Sequence, residues 1–317
     1  MSGLRDALAE VAAVLLPLPG SGDTSGRLFA LSEVARRDLE LARLAEAHYD
    51  AQAIAAEMGA DLVENSLYGV WAASGPDPLV ARRTPDGFAI SGTVAWCTGV
   101  GIVDRALVTA SSSDAHGNPQ GLLLDVAVAD ATVVDDGLAW VSPAFAATRT
   151  ASMRFAASLP ASALIGGPDS YLDRPGFWHG AICVSACWVG GVRGLLDRYQ
   201  QRWRRDDPHA LAHLGSAAAW VDALDAVLGR AGTEIDTNPS DIAAAQARAR
   251  SVRHVIERAC VTVMDDLAVG AGPEPLAYDA DILQRTQQLQ LYIRQCHGER
   301  DLAPLGKFVM DKTDRSR

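Results

Sequence analysis

The chain has 317 residues, of which 49% are hydrophobic and 21% charged, so it can bury one large core or several smaller ones. Its formal net charge of −11 argues against a nucleic-acid partner, because phosphate backbones bind cationic surfaces. The five cysteines form no Cys-x-x-Cys pair and no zinc-type set with histidine. We therefore expect reduced thiols, no metal site and a cytoplasmic location. We see no signal peptide and no membrane-spanning segment, so no membrane partner is expected.

The first zone, about residues 1–66, is predicted to be helical on both sides of a Gly-rich break at 19–26. From Arg27 to Met58, apolar residues recur at three- and four-residue spacing with few helix breakers. This pattern predicts either two helices or one long helix.

The second zone, about residues 67–166, has the pattern of short strands. A hairpin is predicted where 79–83 and 88–95 flank the turn residues Thr84-Pro85-Asp86-Gly87. Further strands are predicted at 105–110, 121–128, 131–134 and 151–157. Many short strands separated by Gly, Pro and Asp are typical of a small antiparallel barrel or sandwich.

The third zone, about residues 167–317, is again predicted to be helical. Long apolar stripes at 176–204, 208–229, 239–267 and 278–296 predict a four-helix bundle. Gly and Pro residues between 270 and 275 separate the last two of these helices. The zones predict three domains, at 1–66, 67–166 and 167–317.

Residues 86–108 read DGFAISGTVAWCTGVGIVDRALV. This stretch resembles the signature hairpin of acyl-CoA dehydrogenases, D-G-Y-x-L-N-G-x-K-x-W-I-T-N-A followed by A-D-x-x-x-V. Ser91 and Val94 replace the asparagine and lysine of that pattern. The resemblance covers about residues 27–306. It implies a multidomain α+β fold with a shortened N-terminal helical domain, a small antiparallel β domain and a C-terminal four-helix bundle.

The same resemblance implies a flavin site. Trp96 and Thr98 occupy the family positions that lie beside the isoalloxazine ring, where the threonine bonds near the hydride-accepting nitrogen. Residues 68–77 resemble the family's V-T-E-P-G-x-G-S-D strand and loop, although Trp71-Ala72-Ala73 replaces Thr-Glu-Pro. Ser74 and backbone amides are the expected substitutes for the missing hydroxyl.

Two further segments resemble the family's contacts to the pyrophosphate and adenosine end of FAD. Residues 267–273 stand where the family has a Gly-rich turn, and Arg204 lies near its pyrophosphate arginine. The phenylalanine that follows this arginine in the family is absent, so FMN binding or loss of flavin are alternatives to FAD. The cofactor-binding residues implied by the resemblance are Trp71, Ala73, Ser74, Trp96, Thr98, Arg204, Gly270 and Gly272.

The family's catalytic base is a glutamate, and the corresponding stretch here, 284–297, contains no carboxylate. Counting back from Gly190-Gly191 places His179 at or beside the position that a minority of the family uses for its glutamate. His179 is our first candidate for a base or a substrate hydrogen-bond donor; the alternative is a helix cap or loop contact. His297 is the second candidate, because the flavin monooxygenase branch of the fold commonly carries a histidine in the last helix.

The resemblance leaves three functions open. The first is an FAD-dependent oxidoreductase that acts on an acyl thioester such as an acyl-CoA, or on a related intermediate, without the usual glutamate. The second is a flavin-dependent monooxygenase of the same fold. The third is a non-catalytic subunit that pairs with an active homologue. For the enzymes we expect a small-molecule substrate and a homodimer or homotetramer, because the family shares FAD across an interface between bundles.

Overall fold

The structure is a computed structural model that describes residues 2–74, 77–134 and 140–315. The side chains of Ser2, Ser74 and residues 312–315 lie outside that description. The described helices are α1 (Ser2–Ala12), α2 (Thr24–Arg37), α3 (Leu39–Met58), α4 (Pro175–Arg202), α5 (Pro208–Thr237), α6 (Ile242–Ala271), α7 (Glu274–Tyr278), α8 (Ala280–Tyr292) and α9 (Glu299–Arg315). The described strands are β1 (Tyr68–Trp71), β2 (Ala73–Ser74), β3 (Val80–Thr84), β4 (Gly87–Cys97), β5 (Arg105–Ser113), β6 (Pro119–Ala127), β7 (Ala131–Val133), β8 (Ala151–Pro160) and β9 (Leu164–Ile165).

The chain divides into two compact units. The first unit comprises Met1–Leu15 and Leu44–Phe177, and the second comprises Leu16–Arg43 and Trp178–Arg317. The three sequence zones match the succession of helical, strand and helical segments. As a set of three domains they stay a prediction.

The first unit is built on one sheet with the strand order β7-β8-β4-β3-β5-β6-β9. The β3–β4 pair is the predicted hairpin, with Thr84 paired to Gly87 across the turn. Most pairings are antiparallel as expected, but β1 pairs in parallel with β5. Ala51 and Ile54 of α3 pack against Tyr68, Leu107, Leu123 and Ile165, which gives this unit a core between helix and sheet.

The second unit consists of helices, with α5 packed along α6 and α2 packed on α5. Aspartates determine where several helices begin. Their carboxylates accept hydrogen bonds from backbone N–H groups of the first helical turn, which have no partner within the helix. Asp23 caps α2, Asp207 caps α5, Asp241 caps α6 and Asp279 caps α8.

Two glycines of α4 allow a close approach to α2. A Cβ atom on Gly190 would overlap the carbonyl oxygen of Ser32, and one on Gly194 would overlap that of Arg36. Gly190 and Gly194 are one helical turn apart, as are Ser32 and Arg36, so two successive turns of α4 lie against the α2 backbone. Any larger residue would force these helices apart.

By length and composition alone, α4 and α5 could each cross a membrane. Residues 175–192 contain no Asp, Glu, Lys or Arg, which corrects the expectation that no segment is uncharged over the length of a bilayer. One or two such helices are weak evidence for a membrane span, so the absence of a membrane partner stays a prediction. The most apolar part of α4 is 83% buried, as in the core helix of a soluble protein. The corresponding part of α5 is only 22% buried, which leaves an apolar helix face uncovered in the single chain.

Candidate functional site

A β-bulge near the end of β4 presents Trp96 to solvent. The pairing of β4 with β8 shifts register between Val94 and Cys97, and Trp96 has a left-handed backbone with φ of 58°. A bulky residue in this conformation is a genuine outlier, and bulges of this kind re-aim side chains next to functional sites. The Trp96 side chain is 62% exposed, which is unusual for so large an apolar group.

The exposed indole is held by a second tryptophan. The rings of Trp96 and Trp140 meet edge to face with centroids 6.0 Å apart, a geometry that the ring quadrupoles favour. Trp140 is itself fixed, because its Nε1 donates a hydrogen bond to the carbonyl of Ala144 at 3.0 Å. The result is an ordered aromatic surface on the first unit.

Thr98 lies two residues beyond the bulge and is held from two sides. Its hydroxyl is 3.0 Å from that of Thr150, and its carbonyl accepts a hydrogen bond from Nε1 of Trp71 at 2.9 Å. Trp71 is 2% exposed, so its indole supports Thr98 from within the unit.

The predicted residues of the first unit come together at the end of β4. Ala73 pairs with Ala95, directly before the bulge, and Ser74 pairs with Val94. The backbone of Ser74 is described, whereas its side chain, which carried the prediction, lies outside the described residues. That Trp71, Ala73, Ser74, Trp96 and Thr98 hold a cofactor stays a prediction.

In the second unit, a cationic and aromatic cleft joins the other two predicted segments. Nη1 of Arg205 donates a hydrogen bond to the carbonyl of Gly270 at 3.2 Å, linking the segment after α4 to the end of α6. The cleft has a volume of about 230 Å³. Its lining residues are Tyr199, Arg202, Trp203, Arg204, Arg205, Ala271, Glu274, Pro275, Tyr278 and Asp279.

The three arginines of this cleft differ in their partners. Arg202 pairs with Asp279 at 3.0 Å, and Arg205 pairs with Asp207 at 3.1 Å. Arg204 donates to backbone carbonyls, including that of Trp203 at 3.0 Å, and forms no ion pair within the described part of the chain. Arg204 is therefore the cleft arginine whose charge an anionic ligand could neutralise.

Gly270 and Gly272 are glycines for different reasons. A Cβ atom on Gly270 would lie 2.8 Å from both Trp203 and His213, so glycine lets these side chains pack against α6. Gly272 ends α6 with φ of 79° and has open space around it. A phosphate contact by either residue stays a prediction.

The two candidate histidines lie in different settings. His179 is buried in α4, with 3% of its surface exposed. The side chain of His297 is 59% exposed, and its backbone N–H donates to the Asp301 carboxylate at 3.0 Å. His297 precedes α9 instead of lying within the last helix, because Gly298, with φ of 54°, follows it and turns the chain into that helix.

The first unit also contains a buried polar network that the sequence did not reveal. The Asp125 carboxylate accepts hydrogen bonds from the Tyr68 hydroxyl at 2.9 Å and from Nε of Arg105 at 2.8 Å. The backbone N–H of Tyr68 donates to Nδ1 of His48 at 3.2 Å. Burial raises the pKa of Tyr68 to about 12 and lowers that of His48, so both side chains are neutral at pH 7.

Replacing His48 with Asn should weaken the pH dependence of folding stability. Because the pKa of His48 is depressed in the folded chain, the unfolded chain binds more protons below the ordinary value of about 6.5. Wild-type stability should therefore fall as the pH drops from 7 to 5, when protonation removes the Nδ1 acceptor. Urea unfolding across this range should show a smaller fall for His48→Asn, whose amide does not titrate. The exposed His209→Asn should retain the wild-type slope, and equal slopes in all three proteins would contradict the assignment.

No cluster of three or more His, Cys, Asp or Glu side chains that could hold a metal ion occurs in the described ranges. The five cysteines are free thiols, and four of them are buried. Burial raises the pKa of Cys97 to about 12, so this thiol is unreactive as a nucleophile.

No protein-family model matches the chain, and no curated protein matches it. Solved structures do share its fold. TdsC from Paenibacillus sp. A11-2, a dibenzothiophene monooxygenase solved with FMN and indole, has a TM-score of 0.80 and 18% identity over 92% of this chain and 84% of TdsC. Methanesulfinate monooxygenase MsuC from Pseudomonas fluorescens has a TM-score of 0.79 and 16% identity over 97% of this chain and 89% of MsuC.

XiaF from Streptomyces sp., solved with FADH2 and glycerol, has a TM-score of 0.73 and 18% identity over 90% of this chain and 81% of XiaF. These likenesses confirm the predicted acyl-CoA dehydrogenase-like fold. Two of the three proteins are named as monooxygenases, so the resemblance is confirmed at the level of the fold that dehydrogenases and monooxygenases share.

Proposed function

We propose that this chain is a flavin-dependent oxidoreductase. The bulge that turns the Trp96 indole outward beside Thr98 is the observation that carries the proposal. An exposed, fixed indole suits the face or edge of a planar ring, and neighbouring hydroxyls suit its polar atoms. Bound flavin would supply electron transfer to or from the substrate. Structures of the same fold from other organisms contain FMN or FADH2, which supports this choice of cofactor.

The residues present fit a flavin in part. In the first unit, Trp96 would contact the isoalloxazine ring, and the paired hydroxyls of Thr98 and Thr150 would bond its polar edge. Trp71 replaces the family's threonine and carries no hydroxyl, and its one N–H already donates to the Thr98 carbonyl. The pyrimidine edge of the ring would then depend on backbone groups and Ser74.

We assign the phosphate end of the cofactor to the Arg204 cleft of a neighbouring copy. Arg204 offers a cation, while Trp203 and Tyr278 offer aromatic surface for an adenine. This favours FAD. Arg202 and Arg205 already have carboxylate partners, so FMN, with its single phosphate, remains the alternative.

Within the flavin enzymes, we favour a monooxygenase that uses reduced flavin and dioxygen. The stretch 284–297 has no carboxylate to remove an α-proton from an acyl thioester. The monooxygenase names of TdsC and MsuC support the same choice. We propose that His179 gives a hydrogen bond to the substrate, or takes a proton from it, through a ring nitrogen.

We further propose a homodimer or homotetramer that acts in the cytoplasm. The uncovered apolar face of α5 includes Leu211 and Trp220, and Val255 and Val269 of α6 are also exposed. A second copy would cover this apolar surface. Free cysteines suit a reducing compartment. Light scattering measures the mass of the protein in solution. If the chain instead pairs with a homologue, it should be a monomer alone and should assemble only when the homologue is added.

The decisive experiment compares two assays on protein reconstituted with FAD or FMN. We expect about one flavin per chain, no bleaching when an acyl-CoA is added without oxygen, and oxygen-dependent product formation when reduced flavin is supplied. Anaerobic bleaching by an acyl-CoA would instead identify a dehydrogenase. A colourless protein that cannot be reconstituted would indicate the non-catalytic subunit. In an active protein, His179→Gln should abolish turnover while the flavin content stays unchanged, whereas unchanged turnover would remove His179 from the mechanism.

A further inference from the structure

Two arginines of α6 lie over tryptophans of α4 at similar distances. The guanidinium of Arg253 is 4.7 Å from the ring centroid of Trp188, and that of Arg250 is 4.6 Å from that of Trp178. Stacking on an indole favours a guanidinium by both its charge and its flat shape. The pair therefore allows a comparison in which the aromatic contact is held constant.

The hydrogen bonds of the two guanidinium groups are not equivalent. Arg253 donates to the carbonyl of Ala181 at 2.7 Å and to that of Gln295 at 2.8 Å, so it ties α4 to the segment after α8. Arg250 makes one long contact of 3.5 Å from Nη1 to the side-chain oxygen of Gln246, in the same helix. Arg253 thus links two segments through its hydrogen bonds, whereas the bond recorded for Arg250 among the described residues stays within its own helix.

The charges around Arg250 are the third observation. The chain has 39 acidic and 28 basic residues, so carboxylate partners are abundant. Other half-buried arginines form ion pairs with carboxylates, as Arg105, Arg193 and Arg285 do. Arg250 is likewise half-buried and forms no ion pair with any residue that the structure describes. A guanidinium has five N–H donors, and no nitrogen of Arg250 is among the buried atoms without a partner, so an incoming oxyanion can reach the donors that are not used on Gln246.

We propose that Arg250, stacked on Trp178, binds an oxyanion of the substrate: a carboxylate, sulfonate or phosphate. A guanidinium whose central carbon lies over an indole can keep its N–H edge free to bond two oxygens of such a group at once. Trp178 directly precedes the buried His179 in α4, and consecutive helix residues point in different directions. We therefore place the anionic group of the substrate on the same turn of α4 as His179 but on a neighbouring face. The proposal rests on the proposed function only in naming the ligand as substrate.

The test measures binding without flavin or turnover. Benzoate and benzenesulfonate are titrated into the full-length protein by calorimetry, with neutral benzamide as a probe of similar size. We expect both anions to bind at least about 10-fold more tightly than benzamide. Arg250→Gln should weaken the binding of both anions by about 10-fold or more, since it removes charge-assisted hydrogen bonds to the anion. The same substitution should leave the affinity for benzamide unchanged.

Two further variants make the result unambiguous. Arg258→Gln removes an exposed arginine from the same helix and should bind the anions as the wild type does. Arg250→Lys keeps the charge but loses the two-pronged geometry, so it should bind with intermediate affinity even if Arg250→Gln does not fold. Equal anion affinity in the wild type, Arg250→Gln and Arg250→Lys would overturn the proposal, as would a wild type that does not distinguish the anions from benzamide. A protein that binds anions but no flavin would refute the proposed function alone.

Discussion

Trp96→Gly should weaken flavin binding by roughly 5- to 150-fold while leaving the protein folded. Stacking of a nucleobase on an aromatic side chain contributes about 1–3 kcal/mol, and we expect an indole against a flavin ring to contribute similarly. Glycine adopts the left-handed conformation of residue 96 without steric penalty, so the bulge should persist. Relief of strain would offset the lost contact with Trp140, so the unfolding midpoint should change little.

Titration of the flavin-free protein by fluorescence quenching measures the affinity, and thermal unfolding measures the stability. Trp96→Phe is the matched variant, because it retains an aromatic ring and should show an intermediate affinity. Flavin affinity within twofold of the wild type in Trp96→Gly, with an unchanged melting temperature, would show that the indole does not contact the cofactor. A large loss of stability would instead mean that Trp96 serves the fold.

Gly190→Ala should destabilise the protein by about 3 kcal/mol, near the upper end of typical overpacking effects. The added methyl group would overlap the carbonyl oxygen of Ser32, and a backbone atom cannot move aside as a flexible side chain can. The helices α2 and α4 must then separate, and the contacts of Gly194 with Arg36 should be lost with them. Urea unfolding monitored by circular dichroism measures the change.

Gly306→Ala is the control for the change of residue type. Gly306 lies in α9, and no atom approaches the position of its missing Cβ within 4 Å. This variant should be more stable than the wild type by about 0.5–1 kcal/mol, because alanine is the better helix former at an exposed helical position. If Gly190→Ala caused no loss of unfolding free energy either, α2 and α4 would not be packed as closely as we describe.

The parts of the fold that the sequence predicts are those with local signals. The β3–β4 hairpin is confirmed because Thr84-Pro85-Asp86-Gly87 supplies the turn by itself. The start of α5 is correct because Asp207 caps the helix and Pro208 occupies its first turn. The predicted end of α5 at Gly229 is wrong. The helix continues to Thr237, and Ser25 of α2 donates to the Gly229 carbonyl at 3.1 Å, a tertiary contact that no local pattern contains.

Features that depend on distant residues were not predictable. The parallel pairing of β1 with β5 joins segments 37 positions apart, from Tyr68 to Arg105. The sequence does not predict α9, because Pro304 and a polar composition make its amphipathic pattern hard to recognise. The same limit applies to the candidate site. The resemblance supplied Trp96 and Thr98, but only folding brings Trp140 and Thr150 to them.

The backbone at Trp96 has a consequence for related chains. A non-glycine residue held in the left-handed region typically costs about 1–3 kcal/mol, and such strain persists only where something else maintains it. In a related protein that no longer binds a ligand here, selection would not maintain the indole. Substitution by glycine would then relieve the backbone strain at this position. We therefore expect the residue at this position to distinguish ligand-binding homologues from non-catalytic subunits. The distinction can be made from the amino-acid sequence of a homologue alone.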